Sequence, residues 1–424
     1  MGRKYCIMKI QHLRLRNFRR FEKLEIENFH PQFNILIGDN GAGKTTLIDA
    51  INRAMSDYFV GLFGSTTDLK QSIEETDIRR KFLFERPELQ YPVEIECDVI
   101  VNEKKYSASN EKTKQRRRKP SSIKQLAEAF VQQVQEGEAV NLPVWVYYGN
   151  GRNHLERNKS RVPNTYSRLE GGYYNGSNPT SNNKYFTEWY KGKFATILQT
   201  KKSSIELELI KKAIVACIPH AVNLYYNFEK GIDDLEIEME SGEKMPFKML
   251  SDGYRSMLAM IADMAFRCIS LNPHLGDSAL RETEGVVLID ELDLYLHPIW
   301  QERVVDDLKR TFPKLQFIVT THSPIIIANA EEKQVFYLSK LENANILPNN
   351  QSYQGWALPY ILEDVMKFTP TDSIDLNPLL DKLDEALKSK NLLQYEEALN
   401  RLESIVHHDD PILSVYKLKK ARVL

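Results

Sequence analysis

The sequence predicts an α/β fold with a mixed sheet, flanking helices, an inserted helical and loop region, and a helical C-terminal extension. One observation is an apolar run over residues 35–37 that breaks into a glycine-rich turn and continues as an amphipathic run over 47–55. This order is typical of a buried strand, a loop and a helix. A second is a pair of later apolar runs, 285–289 and 315–319, which end in polar residues as buried strands do.

The other elements follow from local periodicity. Alternating residues or short apolar runs predict strands at 8–15, 24–26, 93–101, 143–148, 221–228 and 235–239. Amphipathic spacing predicts helices at 121–137, 186–197, 204–217, 258–269 and 299–311, and a helical hairpin at 379–389 and 395–406. Residues 153–185 are rich in Asn, Ser, Gly and Tyr, which predicts a long surface loop.

Composition excludes several classes of protein. The 424 residues exceed the usual size of one core, so two or three structural units are expected. A formal net charge of −1 means that nucleic-acid contact would depend on a local basic patch. The four cysteines form no C-x-x-C pair, which argues against a zinc site and for a reducing compartment. No apolar run reaches transmembrane length, so a cytoplasmic protein without membrane contact is expected.

The glycine-rich turn matches G-x-x-x-x-G-K-[ST] at Gly38, Gly43, Lys44 and Thr45. Glycines let backbone N–H groups surround phosphate oxygens, and the helix start adds its positive dipole end. Lys44 can reach the β- and γ-phosphates, while the Thr45 hydroxyl can bind Mg²⁺. A glycine turn without a ligand is the alternative. The complete motif favours a nucleoside triphosphate, bound by Asn40, Gly41, Ala42, Gly43, Lys44, Thr45 and Thr46.

Two later strand ends carry the residues expected to complete the chemistry. Strand 285–289 ends in Asp290, expected to hold Mg²⁺, and Glu291, expected to orient and deprotonate the attacking water. His322 ends the next strand, where it can sense the γ-phosphate; a purely structural histidine is the alternative. Ser251 precedes the apolar helix as a candidate N-cap.

Two basic stretches are candidates for phosphate contact. The turn over 17–21 contains Arg19 and Arg20 just before the phosphate loop, and it is either a solvated loop or a source of a cation for the nucleotide. A second run is either a solvated loop or a nucleic-acid contact, and its lack of interleaved aromatic residues favours the loop. It consists of Lys112, Lys114, Arg116, Arg117, Arg118 and Lys119.

The order of these motifs resembles an ABC-type ATPase head. Residues 38–45, the Leu-Ser-Asp-Gly-Tyr stretch at 250–254, Asp290-Glu291 and His322 follow that family's order, and the Leu-Ser-x-Gly stretch separates it from other phosphate-loop proteins. Asn17-Phe18-Arg19 and the run over 290–298 resemble the branch of RecF, structural-maintenance-of-chromosomes and OLD proteins.

Within that branch the chain is similar to short-armed bacterial ATPases. The residues that carry this likeness are Tyr147-Tyr148-Gly149, Arg152 and the stretch over 250–256. Such proteins include the ATPase subunits of anti-phage systems such as Septu and retron effector pairs. The resemblance covers about residues 8–345.

The resemblance implies an ATP sandwich of two heads arranged head to tail. Ser251 and Gly253 of one protomer would then cap the γ-phosphate bound at Lys44 of the other, and Asp293 would lie in the loop that crosses the interface. The chain departs from the family in two ways. No glutamine-loop residue is assigned over 77–152, and Asp252 replaces the first signature glycine.

These motifs predict four segments. Residues 1–110 and 241–345 would form the two halves of the head, 111–240 an inserted helical and loop region, and 346–424 a helical extension. Nothing after residue 345 resembles a nuclease domain, so a nuclease would be a separate chain. The cluster at 407–410, two histidines and two aspartates, is expected to be a polar helix end, because adjacent side chains point in different directions.

Three functions are compatible with this reading. The first is a homodimer or higher homo-oligomer that uses ATP and Mg²⁺ to regulate or hold a separate effector, a nuclease or toxin, in an anti-phage complex. The second is a RecF-like repair or recombination ATPase that clamps DNA directly. The third is a nucleotide-gated scaffold with little turnover, against which Glu291 argues. A neighbouring gene for a small nuclease or toxin would favour the first.

Overall fold

The computed structural model describes residues 8–83, 86–114, 121–153, 167–179, 183–367, 376–389, 391–406 and 411–423. Contacts divide the chain into two compact units, Met1–Lys367 and Phe368–Leu424. The predicted α/β class is confirmed in the first unit. Arg116 to Lys119 of the basic run and the cluster at 407–410 lie outside the described residues.

The strands of the first unit form two larger sheets, a smaller sheet and a hairpin. They are β1 Met8–Phe18, β2 Phe21–Ile26, β3 Phe33–Gly38, β4 Arg80–Leu83, β5 Arg86–Leu89, β6 Val93–Val101, β7 Lys104–Lys112, β8 Val144–Tyr148, β9 Ala221–Asn227, β10 Asp234–Met239, β11 Lys244–Pro246, β12 Gly285–Ile289, β13 Leu315–Thr320, β14 Val335–Leu338 and β15 Asn343–Ile346.

The helices flank these sheets in the first unit and make up the second. They are α1 Lys44–Ala54, α2 Ser56–Phe63, α3 Ser122–Gln135, α4 Arg168–Tyr173, α5 Asn183–Thr200, α6 Ile205–Cys217, α7 Asp252–Leu271, α8 Ala279–Glu282, α9 Pro298–Thr311, α10 Pro324–Ala328, α11 Leu358–Tyr360, α12 Asn377–Lys388, α13 Leu392–Ile405 and α14 Pro411–Val423. Among the described residues, none of the helices has the length and apolarity needed to span a membrane.

The central sheet is parallel throughout, in the order β14-β3-β13-β12-β8. Strands β8, β12 and β13 are buried along their whole length, as expected when helices cover both faces of a parallel sheet. Because the strands are parallel, their carboxyl ends meet at one edge. This edge therefore collects the residues that follow Gly38, Tyr148, Ile289 and Thr320.

The second large sheet is mixed, in the order β15-β2-β1-β6-β7. Only its β15–β2 pair is parallel. Along β6, Val93, Ile95 and Cys97 are buried while Glu94 and Glu96 are partly exposed, so this strand has one polar face. That face is lined by charged side chains from neighbouring strands.

Two parts of the segment 111–240 differ from a simple insertion. Strand β8 pairs with β12 in the central sheet, because Val144–Tyr148 is apolar on both faces and is buried there. The predicted loop at 153–185 is wrong in part, since α4 interrupts it. Leu169 and Tyr173 of α4 are buried, and Tyr173 Oη donates to the Pro143 carbonyl at 2.7 Å. Burial of these side chains stabilises a helix that composition alone did not predict.

The second unit consists of α12, α13 and α14, which confirms the predicted helical hairpin. Leu383, Tyr395 and Leu402 are fully buried in its own apolar core. Tyr395 Oη donates to the Tyr416 carbonyl at 2.6 Å, which joins α13 to α14.

Gln316 connects the two large sheets. From β13 it accepts a hydrogen bond from the Ile10 N–H at 2.7 Å and donates to the carbonyls of Ile10 and His30 at 2.9 and 3.0 Å. The Ile10 backbone borders an irregularity in the β1–β6 pairing. The buried side-chain amide of Gln316 therefore forms hydrogen bonds with backbone groups that have no partner in the β1–β6 pairing.

We expect Gln316→Ala to lower the free energy of unfolding by about 1–3 kcal/mol, because it leaves buried backbone groups of β1 without a partner. Chemical denaturation of the full chain measures this. Gln135→Ala, at the exposed end of α3, is the matched control and should stay within about 0.5 kcal/mol of the parent. Equal effects of both substitutions would contradict a connecting role for Gln316.

Candidate nucleotide-binding site

The phosphate loop lies where β3 ends and α1 begins, at the edge of the parallel sheet. Gly43, the residue before α1, has a left-handed backbone with φ of 102°. A Cβ at this position would lie 2.5 Å from the Phe21 ring and 3.2 Å from Arg20 Cδ. Glycine is therefore required twice, for the backbone conformation and for close contact with the β1–β2 turn.

Lys44 is the first residue of α1 and is only 8% exposed. Its Nζ donates to the carbonyls of Gly38 at 2.7 Å and Asp39 at 3.0 Å, so the ammonium lies within the loop. Burial lowers the pKa of the Lys44 ammonium, and nearby carboxylates, led by Asp290 and Asp39, oppose this change. The loop therefore places a cation where phosphate oxygens would gather.

Asp290 joins the phosphate loop to the middle of the sheet. It is 1% exposed and accepts hydrogen bonds from Thr45 Oγ1, at 3.1 and 2.9 Å to its two oxygens, and from Thr320 Oγ1 at 2.7 Å. Its own N–H donates to the Tyr148 carbonyl at 2.8 Å. The predicted metal-binding pair, Thr45 and Asp290, is thus in direct contact, and the two residues supply oxygen ligands only.

Glu291 follows Asp290 in a backbone conformation that non-glycine residues rarely adopt, with φ of 53°. Its N–H donates to Thr320 Oγ1 at 2.7 Å, which stabilises this conformation. Such positions cluster at functional sites, since the surrounding structure must offset their cost of about 1–3 kcal/mol. The chain therefore turns at Glu291 and leaves the direction of β12 directly after Asp290.

His322 follows β13, whose neighbours in the sheet are β3 and β12. The residue is exposed, and its N–H donates to Asp293 Oδ1 at 3.3 Å. Thr321 Oγ1 donates to the same oxygen at 2.6 Å. The structure thus places His322 at the same sheet edge as Lys44 and links its backbone to the loop that carries Asp293.

The two arginines of the β1–β2 turn have different partners. Arg19 Nη1 donates to Asp49 of α1 at 2.7 Å, and its Nε donates to Asp77 at 2.9 Å. Arg20 donates to the carbonyls of Gly41, within the phosphate loop, and of Lys340. Arg20, rather than Arg19, is the cation in contact with the phosphate loop.

Ser251 directly precedes α7, and Gly253 lies in its first turn. They line a pocket of about 370 Å³ together with Tyr295, Ile299 and other residues, none of which belongs to the phosphate loop. A Cβ on Gly253 would lie 2.3 Å from the Tyr295 carbonyl oxygen, so glycine permits this contact. Ser251 is the predicted N-cap, and its Oγ accepts from the Tyr254 N–H at 3.5 Å.

Sequence reasoning missed Thr320, Asp49 and the position after β8. Thr320 contacts both Asp290 and the Glu291 backbone. A hydroxyl at the end of an otherwise apolar strand is the signal that could have identified it.

Asp49 accepts a hydrogen bond from Tyr147 Oη at 2.9 Å. Burial, together with the Asp49 charge, raises the pKa of Tyr147, so that its hydroxyl remains a donor. Asn150 lies two residues after β8, which pairs with β12, and it falls within the range 77–152, over which no glutamine-loop residue was assigned.

The donors at this edge fit a nucleoside triphosphate with Mg²⁺. Backbone N–H groups at the start of α1 and the Lys44 ammonium suit an anion, whereas the Thr45 hydroxyl and Asp290 carboxylate suit a hard cation. Asp290 is buried, and Lys44 and the two threonine hydroxyls surround it. A divalent ion bound near Asp290 would take the place of the hydroxyl donors, and its positive charge would still balance the buried carboxylate.

The chain is similar along most of its length to two proteins of anti-phage systems. The chain is 25% identical over 395 residues to "Retron Vc95 probable ATPase" of Vibrio cholerae, covering 79% of this chain and 74% of that protein. It is 23% identical over 418 residues to the Septu protein PtuA of Bacillus thuringiensis, covering 93% of both. Among solved structures, the SMC head domain from Thermotoga maritima has a TM-score of 0.44 at 15% identity, covering 80% of this chain and 98% of that one.

Two family models match the chain. One, described as "AAA domain", matches residues 12–244. The other, described as "AAA domain, putative AbiEii toxin, Type IV TA system", matches residues 175–328. These matches and the ATPase-named relatives confirm the prediction of an ATP-hydrolysing enzyme. Because the first model covers more than half of the residues, the chain belongs to the AAA-domain family.

Proposed function

We propose that the chain is the ATPase subunit of an anti-phage complex, in which ATP closes two heads and so regulates a separate effector. The observation that carries the proposal is the separation of two half-sites on one protomer. The phosphate loop, Asp290 and Glu291 lie at the sheet edge, whereas Ser251 and Gly253 line a pocket that contains none of them. A second copy would supply the missing half.

Binding of the triphosphate depends on the donors of the phosphate loop. The Lys44 ammonium would exchange its two carbonyl acceptors for phosphate oxygens, and the N–H groups at the start of α1 would bind the β-phosphate. Thr45 and Asp290 would hold the ion, the hydroxyl directly and the carboxylate through water. When bound, Mg²⁺ neutralises charge that develops on the phosphate oxygens.

Hydrolysis is assigned to Glu291, with His322 as the residue that senses the γ-phosphate. Glu291 would orient and deprotonate water. His322 sits one strand over in the sheet, and its backbone is tied to Asp293. A change at the γ-phosphate would therefore reach the loop at 293–297, which contacts the start of α7 through Tyr295 and Gly253.

The surface around Ser251 supports contact with a second copy. Met249, Tyr295 and Ile299 are 80%, 55% and 62% exposed, although all three are large apolar side chains. Such side chains grouped around a glycine-containing pocket are typical of a surface that another protein covers. In the head-to-tail arrangement, that surface would meet the phosphate loop of the partner copy.

The link to an effector rests on the relatives rather than on this site. The relatives named as a retron ATPase and a Septu protein match along most of this chain. A separate nuclease or toxin partner and a cytoplasmic location are parts of the proposal. A RecF-like clamp that contacts DNA directly remains the alternative.

Glu291→Gln should retain ATP binding and slow hydrolysis at least about a hundredfold, because the amide can orient water but cannot accept its proton. Single-turnover hydrolysis and size-exclusion chromatography with ATP measure the two effects. The variant should also accumulate a dimer held by ATP. Turnover close to that of the parent would show that another group is the base.

Mixing two inactive variants tests whether the site is shared. Lys44→Ala removes the phosphate site, and Ser251→Arg blocks the exposed signature surface. If each site combines Lys44 of one copy with Ser251 of the other, an equal mixture should recover about a quarter of the parent rate, since half of the dimers are mixed and each has one intact site of two. No recovery, with both variants folded, would contradict the head-to-tail arrangement.

The effector is tested by a tagged pull-down from the native host. Mass spectrometry would identify proteins, and a nuclease-sensitive stain would detect nucleic acid. A stoichiometric nuclease or toxin supports the proposal. Recovery of nucleic acid without a protein partner would favour the RecF-like clamp instead.

A further inference from the structure

The polar face of the mixed sheet carries a second cluster of metal-ligating side chains, far along β1 from the turn that contacts the phosphate loop. Its members are His12 on β1, Glu25 on β2 and Glu27 just after β2. One ligand atom from each lies within 4.8 Å of the others. Among the described residues, this is the single group of three or more such side chains that meets this distance.

His12 Nε2 is the atom that most needs a partner. It is buried, has no hydrogen-bond partner among the described residues, and lies 3.5 Å from Glu27 Oε2, which is long for a hydrogen bond. The side chain as a whole remains 21% exposed, so His12 lies near the surface. An ion bound to both atoms would sit to one side of the line that joins them, because two metal bonds of about 2.0–2.2 Å together span more than 3.5 Å.

Asp98 lies beside the other nitrogen of the His12 ring. Its Oδ2 lies 3.4 Å from His12 Nδ1, on the opposite side of the ring from Glu27. The same Asp98 oxygen contacts Arg14 Nη2 and Lys105 Nζ, so two cations hold this carboxylate beside the ring. With Asp98 on the Nδ1 side and Glu27 on the Nε2 side, the arrangement matches the carboxylate–histidine pairs that support bound metals.

The local charge balance also favours a cation. Three carboxylates, those of Glu25, Glu27 and Asp98, surround His12, and two cations lie against them. Arg14 Nε is 3.1 Å from Glu25 Oε1 and its Nη2 is 2.9 Å from Asp98, while Lys105 Nζ is 2.8 Å from Asp98. The three carboxylates outnumber the two cations by one, and Glu96, 3.6 Å from Arg14 Nη1, adds a fourth carboxylate.

We propose that His12 Nε2 and the carboxylates of Glu25 and Glu27 bind a divalent transition-metal ion, with Asp98 orienting the imidazole. Imidazole and carboxylate together suit Zn²⁺ and its neighbours, whereas Mg²⁺ prefers oxygen ligands alone. Bonds of about 2.0–2.2 Å would require the three ligand atoms to approach by roughly 1 Å, which rotation of the glutamate side chains allows. Such an ion would hold β1 to the end of β2, separately from the phosphate-loop site.

The test is calorimetric titration of chelator-treated, full-length protein with Zn²⁺, in excess Mg²⁺ and about one pH unit above the ordinary imidazole pKa of 6.5. One saturable Zn²⁺ per chain is expected, with a higher midpoint of thermal unfolding when Zn²⁺ is present. Glu27→Gln keeps the size of the side chain but removes its charge, and should weaken binding at least about tenfold. Asp98→Asn is a second variant with the same expected direction.

Two controls separate this site from other histidines. His220 is exposed and lies 2.9 Å from Glu240, and among the described residues it belongs to no group of three ligands, so His220→Ala should leave Zn²⁺ affinity unchanged. The pair His407→Ala with His408→Ala removes the other histidine-rich sequence and should also leave it unchanged. Absence of saturable binding, or loss of binding in the 407/408 variant with Glu27→Gln unaffected, would overturn the proposal. Neither result depends on ATP hydrolysis.

Discussion

The buried carboxylate of Asp290 is the constraint on which the rest of the head depends. A charge that is 1% exposed needs donors on every side, and here they come from different elements. Thr45 opens the helix after the phosphate loop, and Thr320 ends the neighbouring strand. Their hydroxyls reach Asp290 only if β3, β12 and β13 are parallel and in the observed register, because only then do the three carboxyl ends lie together.

Buried hydrogen bonds also join the central sheet to α7, the helix that follows Ser251. Tyr148 ends β8 beside Asp290, and its Oη donates to Asp263 of α7 at 2.7 Å. Arg267, also on α7, donates to the same Asp263 oxygen at 2.8 Å. This buried group joins α7 to the central sheet through directional hydrogen bonds. The start of α7, next to Ser251, is therefore held in place by the sheet that also carries the phosphate loop.

Much of the site was predictable because its signals are local. The phosphate loop combines residues adjacent in sequence, and Asp290 with Glu291 directly follows an apolar strand. The misses have a common cause. Thr320 and Asp49 act through contacts between segments far apart in sequence, and α4 forms because Leu169 and Tyr173 find a buried surface. Local propensity carries no information about such partners.

The sequence by itself determined the strand–loop–helix motif, the α/β class and the C-terminal hairpin, since spacing and periodicity encode these. Tertiary structure decided which arginine of the β1–β2 turn contacts the phosphate loop, and that His12, Glu25 and Glu27 lie together. Strand pairing and register made these decisions, because a shift of one residue would move every side chain to the other face of the sheet.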